Sequence, residues 1–572
     1  MNKNKTSFLF PQTYSLLHYS LQAGNKQAHT QARNGHNLSM SLYEIFEQNA
    51  LNHPQKAAFI YFDKQKWITL TYADMLDQTR RFLRGLEAGS LAPGMTAAVM
   101  SPPSADFFPF ALAMLKFGIV PIILDPAVGL KKVGEILAEA KPDIFIGNGL
   151  THSLRIMFGW GGASVKHSLS IINMASEKWK VNSRSQISNH PSPFPTSAAA
   201  VIYTSGSTGL PKGAIYTQEN LSAQLDLLKN TFQIVRDEID LPAFPLYALI
   251  DLLLGVTSII PDITFPVPGK TDPEKVINAI QRFNVTNMFA SPVVLDILSA
   301  YALSEAKRSR RLKLTSLKRI ITAGAPATLD LQQRFRHLLE NQTDLFGIYG
   351  ATESLPIAKV ESREIFELKE KTENGAGICL GKPIEGVSVR IIPITDEAIA
   401  EWRDSLPVES NVIGEITVQS GATTRGYIQR EDATRLSKIK FGEDIIHRMG
   451  DVGYFDEEGR LWYCGRKSHR VITNDGVMFT EQIENIFNAH PWVFRAALVG
   501  VNGEPVLWVE LEKGIRINKD KIRAELTALA QTHSQAAKIN YFLFMKKFPT
   551  DVRHNSKIIR EDLTILAKKR LS

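Results

Sequence analysis

From Met40 onward, short apolar runs alternate with longer stretches in which apolar residues recur every three or four positions. Residues 57–62 and 67–72 read as strands, and 73–88 as a helix with its charges on one face. Strand 95–100, helix 104–116, strand 119–124 and helix 133–140 follow. The pattern resumes with helices 219–230 and 272–283, strand 285–290, helix 293–302 and strand 317–322. Such alternation predicts βαβ units and mostly parallel sheets. Beyond about residue 375 the texture changes to short strands and turns, at 387–392, 414–419, 453–455 and 461–464, which predicts a small β-rich subdomain. After Gly465-Arg466 comes a compact α+β unit: helix 481–488, strands 496–501 and 506–511, helix 519–531 and strand 541–544. The predicted fold class is α/β, with a large N-terminal domain over 40–465, of which 375–465 is β-rich, and a small α+β C-terminal domain over 466–572. Residues 1–39 are polar, weakly periodic and read as a peripheral extension.

Composition changes this picture little. The chain has 572 residues, 44% of them hydrophobic and 22% charged, as in ordinary globular proteins. Its 66 basic and 58 acidic residues leave a formal charge of +8, a mild excess that suits an enzyme of anionic substrates and does not argue for nucleic acid. Cys379 and Cys464 form no CxxC pair, which excludes a disulfide framework and fits a reducing cytoplasm. The most apolar windows, 107–124 and 246–261, are interrupted by Pro109, Lys116, Pro121 and Asp251, so no transmembrane helix is expected.

Chemistry enters with Tyr203-Thr204-Ser205-Gly206-Ser207-Thr208-Gly209-Leu210-Pro211-Lys212-Gly213, directly after the apolar run 198–202. Glycines let backbone N–H groups close on an anion, hydroxyls add donors, and lysine adds a mobile positive charge. The spacing is not that of a Walker A loop. It resembles the phosphate loop of the adenylate-forming superfamily of acyl-CoA synthetases, peptide-synthetase adenylation domains and luciferases.

Four further segments match that superfamily in order. Gly324-Ala325-Pro326 resembles its adenine-contacting turn. Tyr349-Gly350-Ala351-Thr352-Glu353 resembles the segment whose tyrosine stacks on adenine, whose threonine meets the α-phosphate and whose glutamate holds Mg²⁺, an ion that prefers hard oxygen ligands. Gly414 to Val418, with Gly426-Tyr427, resembles the strands before the ribose-binding aspartate, here Asp451. Gly465-Arg466 resembles the hinge to a mobile lid domain, with Arg466 also reaching ribose or phosphate. Ser556-Lys557 stands where the family has its catalytic lysine, which bridges carboxylate and α-phosphate as charge develops. The resemblance implies ATP and Mg²⁺ as cofactors, with Lys557, Thr352 and Glu353 catalytic.

Departures from the family lie on the thiol side. Pro245-Leu246-Tyr247 is followed by Ala248 where many acyl- and aryl-CoA ligases carry histidine, and Ser468 replaces the hinge Asp or Lys. With the local words around 349–356, 464–470 and 552–558, these resemble the β-lactone synthetases of bacterial long-chain olefin biosynthesis. That resemblance implies adenylation of a 2-alkyl-3-hydroxy fatty acid, then closure of its own hydroxyl on the acyl carbon. The alternative is a long-chain acyl-CoA or acyl-AMP ligase that hands the adenylate to a thiol, and only there is CoA required. A third reading is a non-catalytic nucleotide-binding scaffold, against which Lys212, Glu353, Asp451 and Lys557 all argue. Tyr247, Ala248 and Val293, within and beside the apolar stretch 246–260, are the candidate pocket lining. The expected partners are the fatty acid derivative, ATP and other enzymes of the same pathway. The basic cluster Lys307, Arg308, Arg310, Arg311 and Lys313 reads as a solvated loop, with peripheral membrane contact as its alternative.

Overall fold

A computed structural model describes residues 40–89, 91–101, 103–124, 128–171, 197–204, 211–263, 267–512, 514, 518–550 and 557–571. The N-terminal extension therefore lies outside the described residues. The α/β class is as expected, and two sheets dominate it. The smaller has six strands in the order His167–Leu169, Ile144–Gly147, Thr96–Met100, Val120–Ile123, Ala198–Tyr203, Gly213–Thr217. All neighbours in it are parallel except the last pair.

The larger sheet has fourteen strands. Its parallel part runs Ala57–Asp63, Thr257–Ile260, Ile239–Pro242, Asn287–Ala290, Arg319–Thr322, Asp344–Ala351. At Asp344–Ala351 the direction reverses through Ser354–Glu361, and the sheet continues antiparallel into the β-rich stretch by way of Ala358↔Pro383. The sequence reading missed several of these strands, among them 239–242 and 257–260, which at four residues are too short to show a period.

In the parallel part, alternation divides the side chains between two faces. Leu241, Met288, Ile320 and Leu345 face one way and join the core under the helices Pro273–Phe283, Pro292–Lys307 and Leu329–Arg336. Their sequence neighbours face the helices Gln218–Phe232 and Ala248–Leu254. The two apolar windows resolve into helix–strand pairs. Phe107–Phe117 leads to Val120–Ile123 through Gly118 at φ 86°, and Ala248–Leu254 leads to Thr257–Ile260 through Gly255 at φ 76°. Such left-handed backbone at a helix C-terminus is where glycine is favoured. No helix among the described residues is long and apolar enough to cross a membrane.

The C-terminal unit has a three-stranded sheet, Val493–Val501, Glu504–Leu511 and Tyr541–Met545. One face packs Ile483, Phe487, Ile522 and Leu526 from the helices Thr480–Asn488 and Lys519–Gln531. The other packs Trp508, Phe548 and Leu563 against the helix Arg560–Leu571. It meets the large unit through Gln535, whose Nε2 donates to the carbonyls of Asn374 and Gly375.

Candidate active site

The buried strand Ala198–Tyr203 delivers the chain into the Gly/Ser/Thr loop. The loop's two ends are tied together, since Thr204 N donates to Lys212 O at 2.9 Å and Lys212 N to Thr204 Oγ1 at 3.4 Å. Ser205, Gly206, Ser207, Thr208 and Gly209 lie outside the described residues. At Gly213 any Cβ would stand 2.6 Å from Ile428 and 2.9 Å from the Tyr203 ring. Its absence lets the segment 426–428 add on as a further strand, with Ile215 N donating to Gly426 O and Ile428 N to Gly213 O. That addition seats Tyr427 with its ring centroid 5.3 Å from Lys212 Nζ, within cation–π range.

Tyr427 then reaches the second motif. Its hydroxyl donates to Glu353 Oε1 at 2.6 Å, and Tyr216 OH donates to the carbonyl of Thr352. The Glu353 carbonyl is held by Thr424 N at 2.9 Å. Behind Thr424 lies Lys438, buried, with Nζ donating to Thr424 O and Oγ1. Burial pushes the Lys438 ammonium down to about 7, the nearby Glu353 opposing that shift. His447 faces Lys438 across a strand pair and is held neutral, first by burial and then by that lysine. Sequence reading missed Tyr216, Lys438 and His447. Nothing in the local sequence distinguishes a lysine that begins an edge strand from a solvated one, and only the cross-strand register brings it here.

The third cluster joins three distant motifs. Tyr349 OH donates to Asp451 Oδ2 at 2.7 Å, and Arg466 Nη1 lies 3.0 Å from Asp451 Oδ1. Asp451 and Arg466 are directly opposed in neighbouring antiparallel strands, so the register itself makes the pair. Burial raises the Asp451 carboxyl and Arg466 opposes that rise, while Asp451 in turn holds Arg466 firmly protonated. Gly350 has no room for a side chain, since a Cβ would stand 2.5 Å from Leu355 Cδ1 and 3.0 Å from Ser354 O. Ala351 packs beside Tyr349 and Met449.

Gly324, Ala325 and Pro326 follow the strand Arg319–Thr322, whose Thr322 is in register with Gly347 of the next parallel strand. The turn thus leaves the sheet at the same carboxyl edge as Tyr349, the usual ligand edge of parallel sheets. Lys557 immediately precedes the bridge Thr550↔Ile558 and stands three residues ahead of Arg560, which pairs with Glu484 at 2.8 Å. Ser468 lies in a short 3-10 turn just past Arg466.

Of the three pocket candidates, Tyr247 and Ala248 join different cores. Tyr247 is stacked on Phe289, with ring centroids 4.2 Å apart and planes at 9°. Ala248 packs on the other side of its helix, in the core that holds Phe46 and Tyr72. Val293 sits at the carboxyl edge, 3.6 Å from where a Cβ of Gly269 would be. In the basic cluster, Arg308 and Arg310 are both paired with Glu305, at 3.0 and 3.3 Å.

Charge is distributed here as a nucleotide requires. Lys212 and the half-buried carboxylate of Glu353 both meet Tyr427, and Arg466 meets the buried carboxylate of Asp451 beside Tyr349. Among the described residues there is no cluster of three or more metal-binding side chains. A single carboxylate fits Mg²⁺, which takes one or two protein carboxylates and completes its shell with phosphate oxygens and water.

Comparison with known proteins decides the family. The AMP-binding enzyme family model matches residues 46–428, more than half of the chain. The chain belongs to the AMP-binding enzymes. It is similar to the olefin beta-lactone synthetase of Xanthomonas campestris pv. campestris, 38% identical over 518 residues that cover 87% of this chain and 91% of that protein. The olefin beta-lactone synthetase of Stenotrophomonas maltophilia is 37% identical, covering 88% and 92%. Among solved structures, the o-succinylbenzoate coenzyme A synthetase of Bacillus subtilis, bound to ATP and magnesium ion, superposes with a TM-score of 0.70 at 21% identity, covering 91% of this chain and 98% of that one. These place the chain among the adenylate-forming ligases.

Proposed function

We propose that this AMP-binding enzyme activates a long-chain 2-alkyl-3-hydroxy fatty acid with ATP and closes it to a β-lactone. The substrate carboxylate attacks the α-phosphorus and pyrophosphate leaves. The β-hydroxyl oxygen then attacks the acyl carbon, AMP departs and the hydroxyl proton is released. The second step needs no thiol, because nucleophile and electrophile share one molecule at high effective concentration.

The near-full-length similarity to two olefin beta-lactone synthetases carries this reading. The roles are those the motifs imply, and the contacts described above support them. Thr204 and Lys212, at the tied mouth of the loop, grip the departing phosphates. Glu353, oriented by Tyr427, would hold Mg²⁺, which supplies charge neutralisation on the phosphates when bound. Asp451 receives the ribose hydroxyls while Tyr349 and Arg466 fix its carboxylate, and Gly324 to Pro326 border the adenine. Lys557, carried by the lid domain 466–572, neutralises charge on the α-phosphate and carboxylate.

The deciding experiment supplies ATP, Mg²⁺ and either a plain long-chain acid or a 2-alkyl-3-hydroxy acid, with and without CoA. Pyrophosphate and β-lactone from the hydroxy acid without CoA is the expected result. A thioester from the plain acid would overturn it in favour of an acyl-CoA ligase.

A further inference from the structure

Tyr427 stands where the two large sheets meet. On one side it is bridged to Ala214 of the strand Gly213–Thr217, in the six-stranded sheet, and packs with Ala200 and Tyr216. On the other side it reaches Glu353, between the strands Asp344–Ala351 and Ser354–Glu361 of the fourteen-stranded sheet. Lys212 directly precedes Gly213–Thr217 and so belongs to the first sheet, whereas Glu353 belongs to the second. One side chain touches both. The Tyr427 ring centroid lies 5.3 Å from Lys212 Nζ, and the hydroxyl at its far end donates to Glu353 Oε1 at 2.6 Å.

The ring is itself well held. Its main chain is fixed by the bonds of Gly426 and Ile428 to the strand Gly213–Thr217, and Tyr427 N donates to Thr434 Oγ1 at 3.0 Å. Three residues earlier, Thr424 N and Oγ1 donate to the Glu353 carbonyl at 2.9 and 3.3 Å. One short segment therefore holds both the main chain and the carboxylate of Glu353. Burial, then the Glu353 carboxylate, raise the Tyr427 phenol, so its hydroxyl stays a donor. An ionised acceptor makes that bond a strong one, and the ring face attracts the ammonium. Lysine and glutamate are long side chains, and holding them before a ligand arrives spares it the cost of ordering them.

We propose that Tyr427 is the positioning residue that sets Lys212 and Glu353 at one spacing across the junction of the two sheets, the ring serving the lysine and the hydroxyl the carboxylate. Through the ring it prepares the cation that meets the nucleotide's phosphates. Through the hydroxyl it prepares the carboxylate that fits a divalent ion. The inference deepens the proposed function and rests on the roles given there to Lys212 and Glu353.

Two variants of the full chain separate the two tasks, read by equilibrium binding. Tyr427→Phe keeps the ring and deletes the hydroxyl. Its affinity for Mn²⁺, a probe that takes the same oxygen ligands as Mg²⁺, is measured by electron paramagnetic resonance with α,β-methylene-ATP present. That affinity should fall about tenfold, while ATP affinity in EDTA stays within about twofold of wild type. Tyr427→Leu deletes both contacts and should also lower ATP affinity in EDTA about fivefold, the scale of one cation–π contact. An unmoved Mn²⁺ affinity in Tyr427→Phe overturns the role of the hydroxyl. Equal ATP affinities in Tyr427→Phe and Tyr427→Leu overturn the role of the ring, with Tyr427→Met taking the place of a leucine variant that does not fold. Glu353→Gln and Lys212→Met identify a failure of the functional reading. If the first leaves Mn²⁺ affinity unmoved, or the second leaves ATP affinity unmoved, the role of that residue falls and the matching half of the inference falls with it.

Discussion

Two buried charged clusters in this protein are built alike and finished differently. Around Glu415, every charge is met. Arg448 donates to Glu415 at 2.6 and 3.1 Å and to the carbonyls of Glu397, Leu436 and Thr395, and Lys467 completes the carboxylate at 3.1 Å. Around Asp240 and Asp251, two carboxyls share one buried space, and Asp240 Oδ2 and Tyr247 OH have no hydrogen-bond partner among the described residues. In the first cluster, Arg448 lies three residues before Asp451 and Lys467 one beyond Arg466, so it ties the strands that carry the Asp451–Arg466 pair. The second lies under the core of Tyr247, Phe289 and Ile321. Full pairing of this kind is what lets a buried charge hold structure.

The sharpest break of this contrast is Arg448→Met. It leaves Glu415 buried with only Lys467 opposite, and should lower apparent stability by about 3–5 kcal/mol in urea unfolding. A change under about 1 kcal/mol would show that saturation is not what holds this region. Charge used in catalysis should behave differently from charge stored in structure. Lys557→Ala should cut pyrophosphate release by roughly 100- to 1,000-fold while ATP binding and the unfolding midpoint hold, a scale typical of oriented charge at a developing anion. Loss of ATP binding in the folded variant would count against that role.

The Asp251 comparison concerns pH. Burial, then Asp240 beside it, raises the Asp251 carboxyl well above the carboxylate range. An acid raised on folding contributes stability below its ordinary pKa, near 4, and loses it as pH climbs through the folded value. Asp251→Asn should therefore flatten the stability–pH profile above pH 4, by up to about 1.4 kcal/mol per pH unit for one proton. Equal slopes in both proteins would show that Asp251 does not titrate as a raised acid. The smallest effect is expected for Tyr349→Phe, which deletes the 2.7 Å bond to Asp451 while keeping the ring. Loss of roughly 1 kcal/mol should appear as about a fivefold rise in KM for ATP with kcat little changed.

Much of the candidate site was legible in the chain because its parts are local words. Tyr349 to Glu353 and Asp451 each need a particular residue type in a turn or strand end, and such needs leave a spacing that survives in one dimension. The long helices were legible for the same reason, and the helix Lys519–Gln531 has the bounds its periodicity predicts. What partners those words have was not legible. Tyr427 was read as part of a strand pair, and its hydroxyl on Glu353 depends on Gly213 admitting a strand from more than two hundred residues away. Lys438 and His447 carried no signal at all. The apolar stretch 246–260 gave a pocket candidate, but Tyr247 and Ala248 join different cores, which neighbouring positions in a sequence do not reveal.

By itself, the sequence determined the α/β class, the order of the motifs and the chemistry of each, because residue type and local spacing are one-dimensional properties. Only the tertiary structure decided which charges meet. The Asp451–Arg466 pair, the Lys438–His447 pair and the placing of Tyr427 opposite Ala214 are all products of strand register. A shift of one residue would turn each of them to the opposite face, and register is fixed by the packing of the whole sheet.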